Sequence, residues 1–336
     1  MSDSDQPPPA DDLPELLREG THEETMACLD QLGGADAETC KRAIRGVRDI
    51  AAEQPGSVEE LIHPLSTFLT DEDRAVRLTT AKLFVTLAQS DSTVARPAVE
   101  ALAGRLADDD EFYYVRARCA EALGYVAVEA PERVTDPETL ADLRIGLAFD
   151  EPEVKEKLAK ALAHVALGDP GRLRHQVSSL AEHLDDENEL VRYHLGTALV
   201  VVGCAYPGKL AEVTGPLQGC LTDENPYVQG RAAEALGLLA ACETGIEGAP
   251  ALGDVAGECE ELPTFLTDRL AFCRRKIAAE QSGEPPDGVG TIESIREATE
   301  EVVEEMTTPD GSECPHCGLD LPEGGPPMCP RCGAPR

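Results

Sequence analysis

Tryptophan is absent from the 336 residues, and aromatic side chains make up only 4% of them. Rings on which bases or sugars could stack are therefore scarce. Basic charge is scarce too: 29 Lys and Arg stand against 64 Asp and Glu, for a formal net charge of −35. That balance disfavours wholesale wrapping by nucleic acid. Only 7 of the bases are lysine, and an acidic, lysine-poor surface resembles those of extreme halophiles. The longest apolar stretch, around Leu195 to Ala205, falls short of the roughly 20 residues that span a bilayer. The opening MSDSDQPPPADD lacks the basic start and apolar run of a secretory signal. A cytoplasmic chain with no membrane span is expected. Phosphate-binding glycine loops, a nucleophile elbow and an open metal site are also missing. Only one His-Glu pair occurs, His22-Glu23, and no enzymatic activity is expected.

What is present is a 13-residue phrase repeated at spacings of 37 to 39 residues. Its clearest copies start at Val76, Val115, Val154, Val191 and Val228. With the first residue as position zero, position +5 is Ala81, Ala120, Ala159, Gly196 and Ala233. Position +8 is Phe84, Leu123, Leu162, Leu199 and Leu236, and small or branched residues follow at +11 and +12. Those offsets share one side of a 3.6-residue helix, so each phrase predicts an amphipathic helix with a buried stripe. Weaker copies from Thr39 and Leu266 bracket the five, as more polar caps should. Leucine pairs at −11 and −7, such as Leu65/Leu69 and Leu180/Leu184, predict a first helix before each phrase. Asp-rich turns join the two, and Asp caps the free N–H groups of the helix that follows. Proline at +16 (Pro55, Pro131, Pro170, Pro207) ends the second helix.

The paired helices with Asp turns resemble the HEAT family. The matching residues are Asp71 before Val76-Arg77, Asp110 before Val115-Arg116, Asp150 before Val154-Lys155 and Asp186 before Val191-Arg192, with Pro64 and Pro216 in first helices. The resemblance covers about three quarters of the chain. It implies an all-α fold, a right-handed α-α superhelix of about seven helix pairs, whose second helices line a concave face used in protein–protein contact. Gln229 replaces the base in the fifth clear copy, where an Asp–Arg ladder would be weakest. The expected organisation is an acidic, disordered N-terminus with room for a short helix (1–21), the solenoid (22–280), a Pro/Gly linker (281–290), an amphipathic helix (291–306) and a small terminal module (312–336). Ile292, Ile295, Thr299, Val302 and Met306 form a heptad-like seam on that helix. It should dock on the last repeat or pair with a second copy, and the oligomeric state stays open.

Position +3 is expected to face away from the buried stripe, and it is rich in bases. Of the 29 Lys and Arg, 17 fall in the seven phrases, so stacking would gather them into a ridge. The candidate partner-binding residues are Arg42, Arg45, Lys82, Arg118, Lys157, Lys160, His194, Arg231 and Arg269. Such a ridge suits an acidic protein partner, with nucleic-acid phosphates as the alternative; bases that pair with the Asp turns or lie over apolar surface would weaken it. The lack of aromatics favours protein over nucleic acid.

Twelve cysteines divide into eight single ones, read as small core hydrophobes, and two CPxCG knuckles. Cys314 and Cys317, with Cys329 and Cys332, would hold one Zn²⁺ in a closed four-thiolate site. No position stays open for substrate, so the ion would be structural and supply the folding energy of a tail with almost no core. The motif resembles terminal zinc ribbons; iron is the alternative metal.

Overall fold

The computed structural model describes residues 9–242, 263–278 and 289–307. Helices α1 (Leu13–Glu19) and α2 (His22–Leu32) open the chain. Seven phrases then give seven long helices: α3 (Ala37–Glu53), α4 (Arg74–Ser90), α5 (Tyr113–Glu129), α6 (Pro152–Gly168), α7 (Glu189–Ala205), α8 (Pro226–Ala240) and α9 (Thr264–Ile277). Each begins two residues before its phrase, and each packs on the next to form one continuous layer. Side-chain oxygens of Asp36, Asp73, Asn188 and Asn225 cap four of them, while α5 and α6 start without a side-chain cap. A final helix, α10 (Ile292–Thr307), follows. No strand occurs among the described residues.

The first-helix segments form the other layer, but they are broken into short α and 3₁₀ pieces. Ile62–Ser66, for example, lies between two 3₁₀ stretches, Pro55–Leu61 and Thr67–Thr70. Pro64 and Pro216 interrupt these segments, because proline removes a backbone donor and crowds the preceding turn. Their leucines nevertheless reach the core, with Leu65, Leu69, Leu102, Leu143, Leu180 and Leu217 all buried between the layers. The first helix expected in the last pair, with Val255 and Cys259 at −11 and −7 from Leu266, falls outside the described residues. So do the four knuckle cysteines and most of the linker. The N-terminus adds more than an acidic tail: Leu13 of α1 is buried, α1 packs on α3, and Thr21 and Glu24 close a capping box on α2.

The turn residues tie neighbouring pairs together. Arg192 donates to the Asp186 and Glu187 carbonyls of its own turn and, through Nε and Nη2, to both oxygens of Asp223 in the next turn, at 2.7 and 2.8 Å. Arg77 does the same toward Glu111, at 2.7 and 2.9 Å. Glu111, not the expected Asp110, is therefore the acceptor in that turn. Lys155 reaches Asp186. Gln229 donates to its own turn, at the Asp223 carbonyl, and the next turn lies outside the described residues.

Close approach of α5 and α6 depends on Gly168, where a Cβ would stand 1.9 Å from the Ala127 carbonyl oxygen. Gly104, in Val99–Leu106, has open space at the same position. Gly168→Ala is expected to cost about 1–3 kcal/mol by overpacking. Gly104→Ala should instead gain about 0.4–1 kcal/mol, because alanine restricts the unfolded chain. Paired urea titrations check the opposite signs.

Candidate binding face and its acidic helix

The long-helix layer has one face on the first-helix segments and one face away from them. On the latter, the nine predicted basic positions divide into two groups. Arg42, Arg45 and Lys82 are exposed, and Arg118 and Lys157 are half-buried. Arg118 bonds Glu121 at 2.6 Å, and Lys157 lies 2.7 Å from Glu156 and 3.6 Å from Glu121. Partial burial and the charges of Arg118, Arg48 and Arg45 hold the Lys82 ammonium below its usual pKa. The cations acting on Lys82 of α4 stand on its two neighbours in the layer, Arg45 and Arg48 on α3 and Arg118 on α5.

Lys160, His194, Arg231 and Arg269 are buried. The expectation that +3 faces outward therefore fails along α7, α8 and α9. The reason is α10, which lies over α7 with side-chain contacts to α5, α6 and α8. Among the described residues its closest helix packing is on α7. Ile295, Thr299 and Val302 are buried against the layer, and Ile292 and Met306 pack beside them. Lys160 Nζ donates to Tyr125 Oη at 2.7 Å and lies 3.2 Å from Glu300. His164 Nε2 is 3.5 Å from the same carboxylate. Burial works against the Glu300 charge, but His164 and Lys160 outweigh it and bring its pKa down to about 2. Tyr227 Oη donates to Glu305 at 2.8 Å, and Arg296 donates to the Leu167 carbonyl at 2.8 Å.

A buried charge network anchors the start of α10. Glu234 accepts from Arg231 at 2.9 Å, from Arg269 at 3.0 Å and from the Gly290 N–H at 2.7 Å. Gly290 has φ +78°, and a Cβ there would meet the Phe272 ring at 2.8 Å, so glycine is needed on both counts. Arg231 also donates to Tyr193 Oη, and Arg269 stacks 3.5 Å above the Phe265 ring.

Sequence reasoning missed this occupancy, yet α7 carries its signal. Residues Val191–Gly203 are buried without a break. At +6, +7 and +10, α7 has Thr197, Ala198 and Val201, where α6 has Lys160, Ala161 and His164. An apolar outer face on one second helix marks the seat of another element. Among the described residues, no group of three or more His, Cys, Asp or Glu is placed to hold a metal ion, and no helix is long and apolar enough to cross a membrane. Five described cysteines (Cys28, Cys40, Cys119, Cys220, Cys273) are buried, and burial pushes the Cys220 thiol up to about 11.

No protein-family model matches the chain, and no curated protein matches it significantly. Solved structures do. An engineered protein from the Northeast Structural Genomics Consortium is 20% identical with a TM-score of 0.63, over 90% of this chain and 85% of that one. A second engineered protein from the same consortium is 23% identical with a TM-score of 0.50, over 71% and 99%. A designed armadillo repeat protein in complex with a (KR)4 peptide is 19% identical with a TM-score of 0.48, over 68% and 99%. The likeness at a TM-score of 0.63 speaks to fold alone, and the layered helices above make the described residues an all-helical repeat solenoid.

Proposed function

We propose that the chain is a non-catalytic scaffold that binds an acidic segment of a partner protein along its long-helix face, with a zinc ribbon at its C-terminus. The observation that carries this reading is α10 itself, an acidic helix seated on that face through Lys160, His164 and Tyr125. Beyond α10 the same face continues to Arg45, Arg48, Lys82 and Arg118, a basic group in a chain of net charge −35. In molar salt, screening confines such charges to about 3 Å, so they act by direct contact. The test is capture on the tagged full chain in molar KCl, read by mass spectrometry. Arg45→Glu with Lys82→Glu, both exposed, should lower recovery of the bound protein at least tenfold. Equal recovery would overturn the reading, and loss of the captured material on nuclease treatment would put nucleic acid in its place.

The zinc ribbon rests on the spacing of Cys314, Cys317, Cys329 and Cys332 and on the closed chemistry of four thiolates. Purified chain should contain one equivalent of zinc and be colourless, whereas iron would give visible absorbance. Cys317→Ser should abolish metal retention and leave the solenoid's unfolding midpoint unchanged, as metal analysis and thermal melting would show.

A further inference from the structure

Helix α10 fills its seat incompletely. A groove of about 290 Å³, open to solvent, runs between it and the α4–α5–α6 side, bordered by Ala88, Val128, Leu167, Thr299 and the polar Glu129 and Arg296. Beneath it, His164 Nδ1 and both ring nitrogens of His194 are buried and find no hydrogen-bond partner among the described residues. A permanent core element would normally satisfy such groups. Along the helix itself, two of its polar ties use side chains still in contact with water: Glu300 and Arg296 keep 49% and 41% of their surface. The apolar hold centres on Ile295 and Val302 with Thr299 between them, and the flanking Ile292, Val303 and Met306 are only partly buried.

The seat is nevertheless specific. It presents an apolar floor on α7, a cation at Lys160, a phenol at Tyr125 and a second phenol at Tyr227 near the far end. That arrangement suits an amphipathic helix with apolar residues spaced by three or four and a carboxylate beside them. The face then runs on toward Lys82 on α4 and Arg45 on α3, both exposed. A longer acidic helix could use the seat, the groove and the basic group together.

We infer that α10 is a displaceable internal ligand, and that its seat accepts an acidic amphipathic helix from a partner protein in exchange for it. This rests on the scaffold reading above and adds where the partner sits and what it must replace. If the docked form hides the seat in about 90–99% of molecules, an incoming helix binds about ten- to a hundredfold more weakly than to an open seat.

The experiment uses the full chain and a fluorescent peptide of residues 290–307. Ile295→Asp with Val302→Asp in the chain removes the apolar hold of α10 without altering any solenoid residue. The peptide should bind that variant at least tenfold more tightly than the parent, and a peptide of scrambled order should bind neither. Glu300→Lys, a single change at a half-exposed position, should shift binding in the same direction and covers the case in which the double variant misfolds. Amide exchange on the unaltered chain should show α10 opening well ahead of α7. No gain in peptide affinity from either folded variant, or α10 protected as long as α7, would overturn the inference and leave the scaffold reading intact. Peptide exchange as expected, with no loss on Arg45→Glu and Lys82→Glu in the capture experiment, would instead count against the scaffold reading alone.

Discussion

Glu234→Ala is expected to destabilise the C-terminal end of the solenoid by about 3–5 kcal/mol, the usual cost of stripping one partner from a buried ion pair. The carboxylate is fully buried and faces two buried guanidinium groups, Arg231 and Arg269. Among the described residues, each of the two cations pairs with Glu234 alone. Arg231 retains Tyr193 Oη, and Arg269 retains the Phe265 carbonyl and ring. Those neutral groups cannot replace the lost charge in a poorly solvated site. The Gly290 N–H would lose its acceptor as well, so the chain entering α10 would loosen. A repeat array need not unfold in one step. Amide exchange should therefore show α8, α9 and α10 losing protection while α3 and α4 keep theirs. Uniform loss along the array, or none, would count against the anchoring role of Glu234. Replacing Arg231, Glu234 and Arg269 together by Leu or Met should recover much of the loss, since apolar packing often equals a buried ionic set.

The periodic part of this architecture is legible because burial writes itself into spacing. Ala81, Phe84 and Leu87 recur at helical intervals and are all buried, and their equivalents locate every long helix to within two residues. The first-helix leucines were equally legible as core. Their helical regularity was not, because Pro64 and Pro216 break segments whose apolar spacing still looks helical. The face away from the first-helix segments was harder. A base at +3 reads alike whether it meets solvent, as Arg42 does, or a buried carboxylate, as Arg231 does. What marks the buried ones is reach across the chain, from Arg231 to Tyr193, 38 residues away, and from Arg269 to Glu234, 35 residues away. The unbroken apolar run of α7 was visible and was weighed only against a membrane. Its second meaning, that both faces are covered, needs a partner element, and the seam of α10 was the matching half.

Acidification from pH 7.5 to 5 is expected to weaken the α6–α7–α10 region, with His194 as the main cause. Burial, and then the charges of Lys160, His164 and Lys157, set its pKa well below the usual value; Glu300 opposes them without prevailing. His164 is displaced in the same direction, by burial and by Lys160, against Glu300 and Glu121. A histidine with a depressed folded-state pKa binds its proton more readily in the unfolded chain. Its stabilising share is therefore complete above about pH 6.5 and falls as pH drops below that value. If His194 stays neutral in the fold, the loss is about 2 kcal/mol between pH 6.5 and 5, and His164 adds to it. Glu300 does not offset this, because its own share is lost only below the ordinary carboxylate range, toward its folded value of about 2. Urea midpoints in 1 M KCl keep the overall acidic repulsion screened. His194→Leu removes a buried ring with two unpartnered nitrogens, and it should raise stability at pH 7.5 as well as flatten the acid loss. An unchanged pH slope in that variant would assign the acid sensitivity to other groups.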